Sequence, residues 1–166
     1  MEIKAAVKAD IPLIHTLAEK IWKLHYPGII TMEQIEYMLE KMYSPQALEA
    51  QMTEGHCFYI LYHHDQACGY LSFSKKGPGE YFLHKFYIDT TRHRKGMGSF
   101  FFDQVFKSIP DLQSVRLTVN RSNYKAINFY FKTGFTIEEV KDFDIGNGYQ
   151  MNDFVMVKQI VKDQHH

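Results

Sequence analysis

The sequence predicts a mixed α/β domain of the α+β kind, with a central, mostly antiparallel sheet flanked by helices. Three observations predict it. Apolar residues recur at helical spacing over residues 11–24 and again over 32–42. The period then changes to two in three consecutive segments between 56 and 89, divided by turn-forming residues. A strand, a helix and a strand follow over 81–120, a crossover that sets two strands parallel in a sheet otherwise built from hairpins.

The elements follow in order. EIKAAV (2–7) is a short first strand. Asp10 is expected to cap the first helix, with Pro12 in its first turn, where a missing N–H costs little. Ile14, Leu17, Ala18, Ile21 and Leu24 supply its apolar stripe, and Pro27 and Gly28 end it. Thr31 opens a second helix carrying Met32, Ile35, Met38, Leu39 and Met42, and a short third helix follows Pro45. Strands at 56–63 and 67–74 flank a turn at HDQ. KKGPGE (75–80) is a second turn, and YFLHKFYID (81–89) is an aromatic-rich strand expected to be well buried. The next helix is expected to bury Met97, Phe101, Val105 and Ile109 and to stop at Pro110. Val115, Leu117 and Val119 alternate with polar residues in a strand over 114–120. NYKAINFYFKTGF (123–135) is a helix ended by Gly134. Strands at 136–142 and 154–159 flank GNG, a hairpin turn.

The length of 166 residues fits one domain, expected over 1–160, with 161–166 a disordered tail. Lys and Arg total 19, as do Asp and Glu, which argues against broad attraction to nucleic acid or to membranes. No apolar stretch reaches membrane-spanning length and the N-terminus is no signal peptide; the two cysteines, read as thiols in a reducing compartment, make a cytoplasmic location the expectation. Cys57 and Cys68 are too few for a disulfide framework and are read as buried thiols. His63, His64 and Asp65 tempt as metal ligands, but neighbouring strand and turn residues point apart, and no metal is expected.

The most informative stretch is RHRKGMGS (92–99) at the start of a helix. A helix N-terminus offers unpaired amides and the positive end of its dipole. Gly96 and Gly98 remove side chains that would hold an anion away, and Arg94 and Lys95 add charge at the rim. Together they make a phosphate site suited to a diphosphate; the bland alternative is a helix start with two small residues. A dinucleotide fingerprint lacks its third glycine, since Phe101 stands there, and the Gly-Lys-Ser/Thr of a P-loop is absent.

Strand, RHRKGMGS, helix, strand and NYKAINFYFKTGF together resemble the GNAT superfamily of acyl-CoA-dependent N-acyltransferases. Gly96 and Gly98 match the small positions of that family's phosphate loop; His93 stands where Gln or Arg is usual. Asn123, Ala126, Phe129, Tyr130, Gly134 and Phe135 match its second signature. The N-terminal helices are similar to those of bacterial members that act on polyamines or other small amines. The resemblance implies a sheet splayed between its fourth and fifth strands, with acetyl-CoA as cosubstrate in the wedge. The pyrophosphate would lie on amides of Arg94, Lys95, Gly96, Met97, Gly98 and Ser99, beside His93. The pantetheine arm would run along Phe86, Tyr87 and Ile88, and Asn120 would border it. Asn123 would hydrogen-bond the arm, Ala126 would leave it room, and Tyr130 would offer its O–H to the leaving sulfur.

The implied activity is N-acetyl transfer to a primary amine of a small molecule or a peptide by direct attack, and a homodimer is expected from the habit of the family. The alternative is a catalytically silent acyl-CoA sensor of the same fold. The base is less clear. Glu80 and His84 share strand parity with Phe86 and Ile88, and His84 is the candidate base. A packed histidine, or a water chain to solvent, fits the sequence as well. Where some members carry a carboxylate, Phe82 stands. His25, Tyr26 and Tyr149 are candidate walls of the acceptor site. Glu33, Glu36 and Glu40 line one helix face, as a polyamine site or a solvated face would require.

Overall fold

The computed structural model describes residues 1–92 and 95–160. The expectations for His93, Arg94 and the tail at 161–166 lie outside the described residues. The elements run β1 (Glu2–Ala5), α1 (Ile11–His25), α2 (Met32–Tyr43), α3 (Pro45–Thr53), β2 (Cys57–His63), β3 (Gln66–Gly77), β4 (Glu80–Ile88), α4 (Met97–Lys107), β5 (Ser114–Asn120), α5 (Tyr124–Lys132), β6 (Thr136–Gly146) and β7 (Tyr149–Gln159). The seven strands form one sheet in the order β1-β2-β3-β4-β5-β7-β6. Every pairing is antiparallel except β4 with β5. Helices α1 to α3 cover one face, with Ile14, Trp22, Ile35 and Leu48 in its core. Helices α4 and α5 cover the other, with Phe101, Phe102, Ile127 and Phe135.

The parallel pairing is short. Glu80, Tyr81 and Phe82 pair with Ser114, Val115 and Arg116, and the register goes no further. Past those three pairs β4 keeps only β3 and β5 keeps only β7, so the sheet splays as expected.

Several expectations need correction. Asp10 lies in a short 3-10 turn and makes no side-chain cap to α1; its Oδ2 accepts the Val7 N–H at 2.8 Å. Lys75 and Lys76 continue β3, so Pro78 and Gly79 alone make the second turn. Strand β4 is not well buried: Leu83 and Lys85 are, whereas the rest of its outer half borders an open wedge. Ile109 lies past the end of α4 and is half-buried; Phe102 and Phe106 widen the buried stripe instead. Cys57, at the start of β2, is exposed, while Cys68 is buried. The last hairpin is longer than its apolar pattern, because β6 is an exposed edge strand with no need of alternation. Its turn centres on Asn147 and Gly148, both at positive φ, the geometry that lets two strands join tightly.

One irregularity matters for the site. Ser72 pairs with Lys85 but Phe73 pairs with Leu83, which leaves His84 as an extra residue in β4. The bulge reverses the alternation. Leu83 and Phe86 both face α4, and Tyr87 faces α1. The face expected to be shared by Glu80, His84, Phe86 and Ile88 is therefore broken at His84.

Candidate active site

A cavity of about 350 Å³ occupies the wedge. Of the residues that sequence reasoning selected, His84, Phe86, Tyr87, Ile88, Lys95, Gly96, Gly98, Ser99, Asn120, Asn123, Ala126 and Tyr130 line it. Met97 does not; its side chain is fully buried in the core beneath α4.

The floor is the β4–α4 junction. Asp89 is buried at the end of β4, where its Oδ1 accepts the Thr91 N–H and hydroxyl at 2.9 and 2.7 Å. Lys20 of α1 meets its Oδ2 at 2.7 Å, tying the loop to the first helix. Gly96 then caps α4 at φ +86°, a left-handed conformation that disfavours any residue with a Cβ, and the space beside it is open. Gly98 serves a different end. A Cβ there would lie 3.0 Å from the Phe129 ring, so this glycine lets α5 approach α4. Phe129 stacks on Phe86 with ring centroids 5.5 Å apart.

The wall opposite β4 is α5. The Asn123 side chain caps it, accepting the Ala126 N–H at 3.3 Å, and Asn123, Ala126 and Tyr130 share its cavity face. Burial pushes the Tyr130 phenol well above its ordinary range, aided by nearby Tyr26, so it stays protonated and keeps its donor. Asn120 ends β5 with its Oδ1 accepting the Ser122 N–H at 2.8 Å.

The roof comes from the C-terminal end of α1. Trp22 packs on Tyr26 at 4.3 Å between centroids, and the Tyr26 and Tyr87 hydroxyls share a 2.7 Å hydrogen bond. Burial raises Tyr26 to about 12. His25 and Tyr26 line the cavity as expected, and burial, with Lys125 nearby, lowers the His25 pKa. Tyr149 is not on this wall; it pairs with Gly146 at the hairpin tip and packs against Tyr37. Glu33, Glu36 and Glu40 are exposed, while Met38 and Met42 of the same helix reach the cavity.

His84 borders the cavity, but its ring is engaged. Its Nε2 lies 2.6 Å from the Ser74 hydroxyl, and it stacks on His56 at 4.0 Å. Burial, together with His56 and Lys85, lowers it to about 3, so it is a neutral and weakly basic imidazole at neutral pH.

Three charged residues that line the cavity escaped sequence reasoning: Lys125 of α5, Lys85 and Asp153. Lys85 is 4% exposed, donates to the Gln51 Oε1 at 2.8 Å and lies over the Tyr43 ring; burial lowers it to about 8. Asp153, opposite Asn120 on β7, is 3% exposed and lines the cavity. Its Oδ1 is buried with no hydrogen-bond partner among the described residues, and burial raises the carboxyl to about 6 against the pull of Thr118 and Arg121. A signal for Asp153 did exist: an acid among the apolar residues of MNDFVMV is costly to bury without a purpose. Among the described residues, no group of three His, Cys, Asp or Glu is placed to hold a metal ion, and no helix is long and apolar enough to cross a membrane.

The chain is 26% identical to an uncharacterized N-acetyltransferase of Mycobacterium tuberculosis over 155 residues, 92% of this chain and 99% of that one. An uncharacterized N-acetyltransferase of Mycobacterium bovis matches to the same extent. Among solved structures, PaiA N-acetyltransferase from Thermoplasma acidophilum, in complex with coenzyme A, superposes with a TM-score of 0.77 at 23% identity, over 96% of this chain and all of that one. A GCN5-related N-acetyltransferase from Rhodopseudomonas palustris gives 0.79 at 15% identity, over 96% and 95%. These two likenesses concern the fold. Residues 29–156, which hold the splayed strands, the glycine turn and the Tyr130 helix, match the family model for the acetyltransferase (GNAT) domain, and the chain belongs to that family.

Proposed function

We propose that the protein transfers an acetyl group from acetyl-CoA to a primary amine of a small molecule by direct attack. The observation that carries the reading is the cavity between β4 and β5, with the glycine turn at one end and Tyr130 on the facing helix. The residues present fit the cosubstrate. Gly96 leaves open space before the first turn of α4, where amides have no acceptor within the helix. The amides of Gly98 and Ser99, with the Lys95 ammonium, would hold the pyrophosphate. The edge of β4 at Phe86 to Ile88 would pair with the pantetheine amides as a neighbouring strand would, and Asn123 and Ala126 would flank the arm. That PaiA protein was solved with coenzyme A on a similar fold supports the choice of ligand.

Acetyl-CoA supplies the activated acetyl thioester. The chain's part is to align amine and carbonyl, to exclude water and to manage protons. Tyr130, kept as a neutral phenol by burial, donates its O–H toward the leaving sulfur. A thermal-shift comparison of acetyl-CoA, CoA, ATP and NAD tests the ligand: stabilisation by ATP or NAD and not by the CoA species refutes the proposal. Thiol release across an amine panel then tests the chemistry. Binding of acetyl-CoA with no turnover of any amine would mark a sensor instead. Tyr130→Phe should lower kcat by about a hundredfold, in the range for loss of a general acid, with acetyl-CoA affinity retained.

A further inference from the structure

We propose that Asp153 receives the acceptor's ammonium group and removes its proton, and that the acceptor is a primary monoamine on an apolar body. This rests on the acetyl-transfer reading above and names the acceptor class and base for the same cavity.

The geometry comes first. Asp153 lies on β7 directly across from Asn120, at the open end of β5, four residues past Arg116, where the pairing of β5 with β4 stops. It shares the sheet face of Met151, and that face looks toward α1 and α2. Its Oδ1 is buried without a hydrogen-bond partner among the described residues. A buried carboxylate oxygen left unsatisfied is costly, and a bound ammonium satisfies it with a charge-assisted bond.

The groups that face Asp153 leave its charge available. On β5, the neighbouring Thr118 hydroxyl favours the ionised form. In the turn beyond, Arg121 has a weaker pull; it spends its guanidinium on Asp142 of β6 at 2.9 Å and on the Asp153 carbonyl at 3.2 Å. Asp142 repels from its strand, and Tyr26 of α1 is a neutral phenol. His25 of α1 and Lys125 of α5 line the same cavity, and burial keeps His25 toward its neutral form. With burial raising it to about 6, Asp153 is ionised at neutral pH and still a better proton acceptor than a surface carboxylate.

Charge and shape then define the acceptor. Among the described residues that line the cavity, Asp153 is the single acid, while Lys85, Lys95 and Lys125 are basic. One ammonium therefore finds a partner, and a second along the same molecule meets lysines. The surrounding wall is Trp22, Tyr26, Met38, Met42, Tyr87 and Met151, large polarisable surfaces suited to an aromatic or branched aliphatic body. The cavity volume of about 350 Å³ also has to hold the end of the thioester arm, which keeps the acceptor small.

The step balances. The ammonium gives one proton to the Asp153 carboxylate and becomes a neutral amine. Its nitrogen forms the new C–N bond to the acetyl carbon, and the C–S bond breaks. The second proton lost from nitrogen ends on the departing thiolate, relayed by the Tyr130 hydroxyl. Asp153 returns the first proton to solvent, so the products are the amide, free CoA and one proton.

The experiment has two readouts. Calorimetry of 2-phenylethylamine, isoamylamine and spermidine, with and without CoA, reads acceptor binding; thiol release with acetyl-CoA reads turnover as a function of pH. The two monoamines should bind at least about tenfold more tightly than spermidine, and Asp153→Asn should weaken them by a similar factor, the loss expected of a charge-assisted bond. Turnover by the variant should fall about a hundredfold, and the rise of kcat/KM through about pH 6 should disappear. Thr118→Val, which removes a hydroxyl that favours the ionised carboxylate, should move that rise to higher pH. Spermidine binding as well as the monoamines overturns the acceptor class. An Asp153→Asn enzyme with unchanged amine affinity, rate and pH limb overturns the role of Asp153. A wild-type protein that binds monoamines through Asp153 but does not bind acetyl-CoA refutes the acetyl-transfer reading instead.

Discussion

Replacing Asp153 with asparagine should change how stability depends on pH, whatever the substrate proves to be. The carboxyl is 3% exposed and its pKa is raised from the ordinary 3.8 to about 6, chiefly by burial. A raised carboxyl pKa means that the folded state holds the proton more tightly than the unfolded chain. The group's contribution is therefore most favourable below 3.8 and is lost as pH rises through about 6. A separation of roughly two pH units, at about 1.4 kcal/mol each, makes the loss about 3 kcal/mol. Asparagine does not titrate, so any packing cost it carries is the same at every pH. The stability of the variant minus that of the wild type should climb by up to about 3 kcal/mol between about pH 4 and pH 7. Urea unfolding followed by the fluorescence of Trp22, the sole tryptophan and 1% exposed, measures both proteins at each pH. Other titrations cancel in the difference. A difference that stays flat across this range, or shrinks, would show that the carboxyl is not desolvated and would refute the reasoning.

Further outcomes follow from the same structure. Gly96→Ala should cost about 1–2 kcal/mol in urea unfolding through its left-handed backbone alone, and Gly96→Asn less, because asparagine tolerates that region. Gly98→Ala should cost about 1–3 kcal/mol for a different reason, displacement of the Phe129 ring, and the double variant Gly98→Ala, Phe129→Leu should recover part of it. The lowered pKa of His84, caused by burial and by His56 and Lys85, means that the protein loses stability as pH falls below the ordinary histidine value; His84→Gln should flatten that acid limb in the same measurement. Asn123→Ala removes the cap of α5 and should lower stability by about 1 kcal/mol, read as a shift of the urea midpoint.

Much of the architecture was legible in the order and period of the apolar residues. The strand, glycine turn, helix, strand and Tyr130 helix all lie where the motifs placed them, because turn residues and amphipathic stripes are local signals. Non-local events were not legible. The bulge at His84 depends on how β3 meets β4, and it overturned a parity argument that was sound for a regular strand. The separate duties of Gly96 and Gly98 appear only when α5 is docked, since Phe129 lies more than thirty residues further along. Asp153 belongs to a strand whose N-terminal half was hidden by polar residues, and its position opposite Asn120 is a matter of register between β5 and β7. Strand β6 was underestimated because an outer strand carries little of the apolar alternation that marks an inner one.

The early end of pairing between β4 and β5 has a wider consequence. Beyond Phe82 and Arg116, two inner strands of one sheet each face an absent neighbour, so this fold is least complete in its middle rather than at its margins. On the acetyl-transfer reading, the arm of the cosubstrate would enter this gap and act as a temporary eighth strand. Architecture and turnover would then be joined at a single seam: a ligand seated there would supply the neighbour that β4 and β5 lack beyond Phe82 and Arg116.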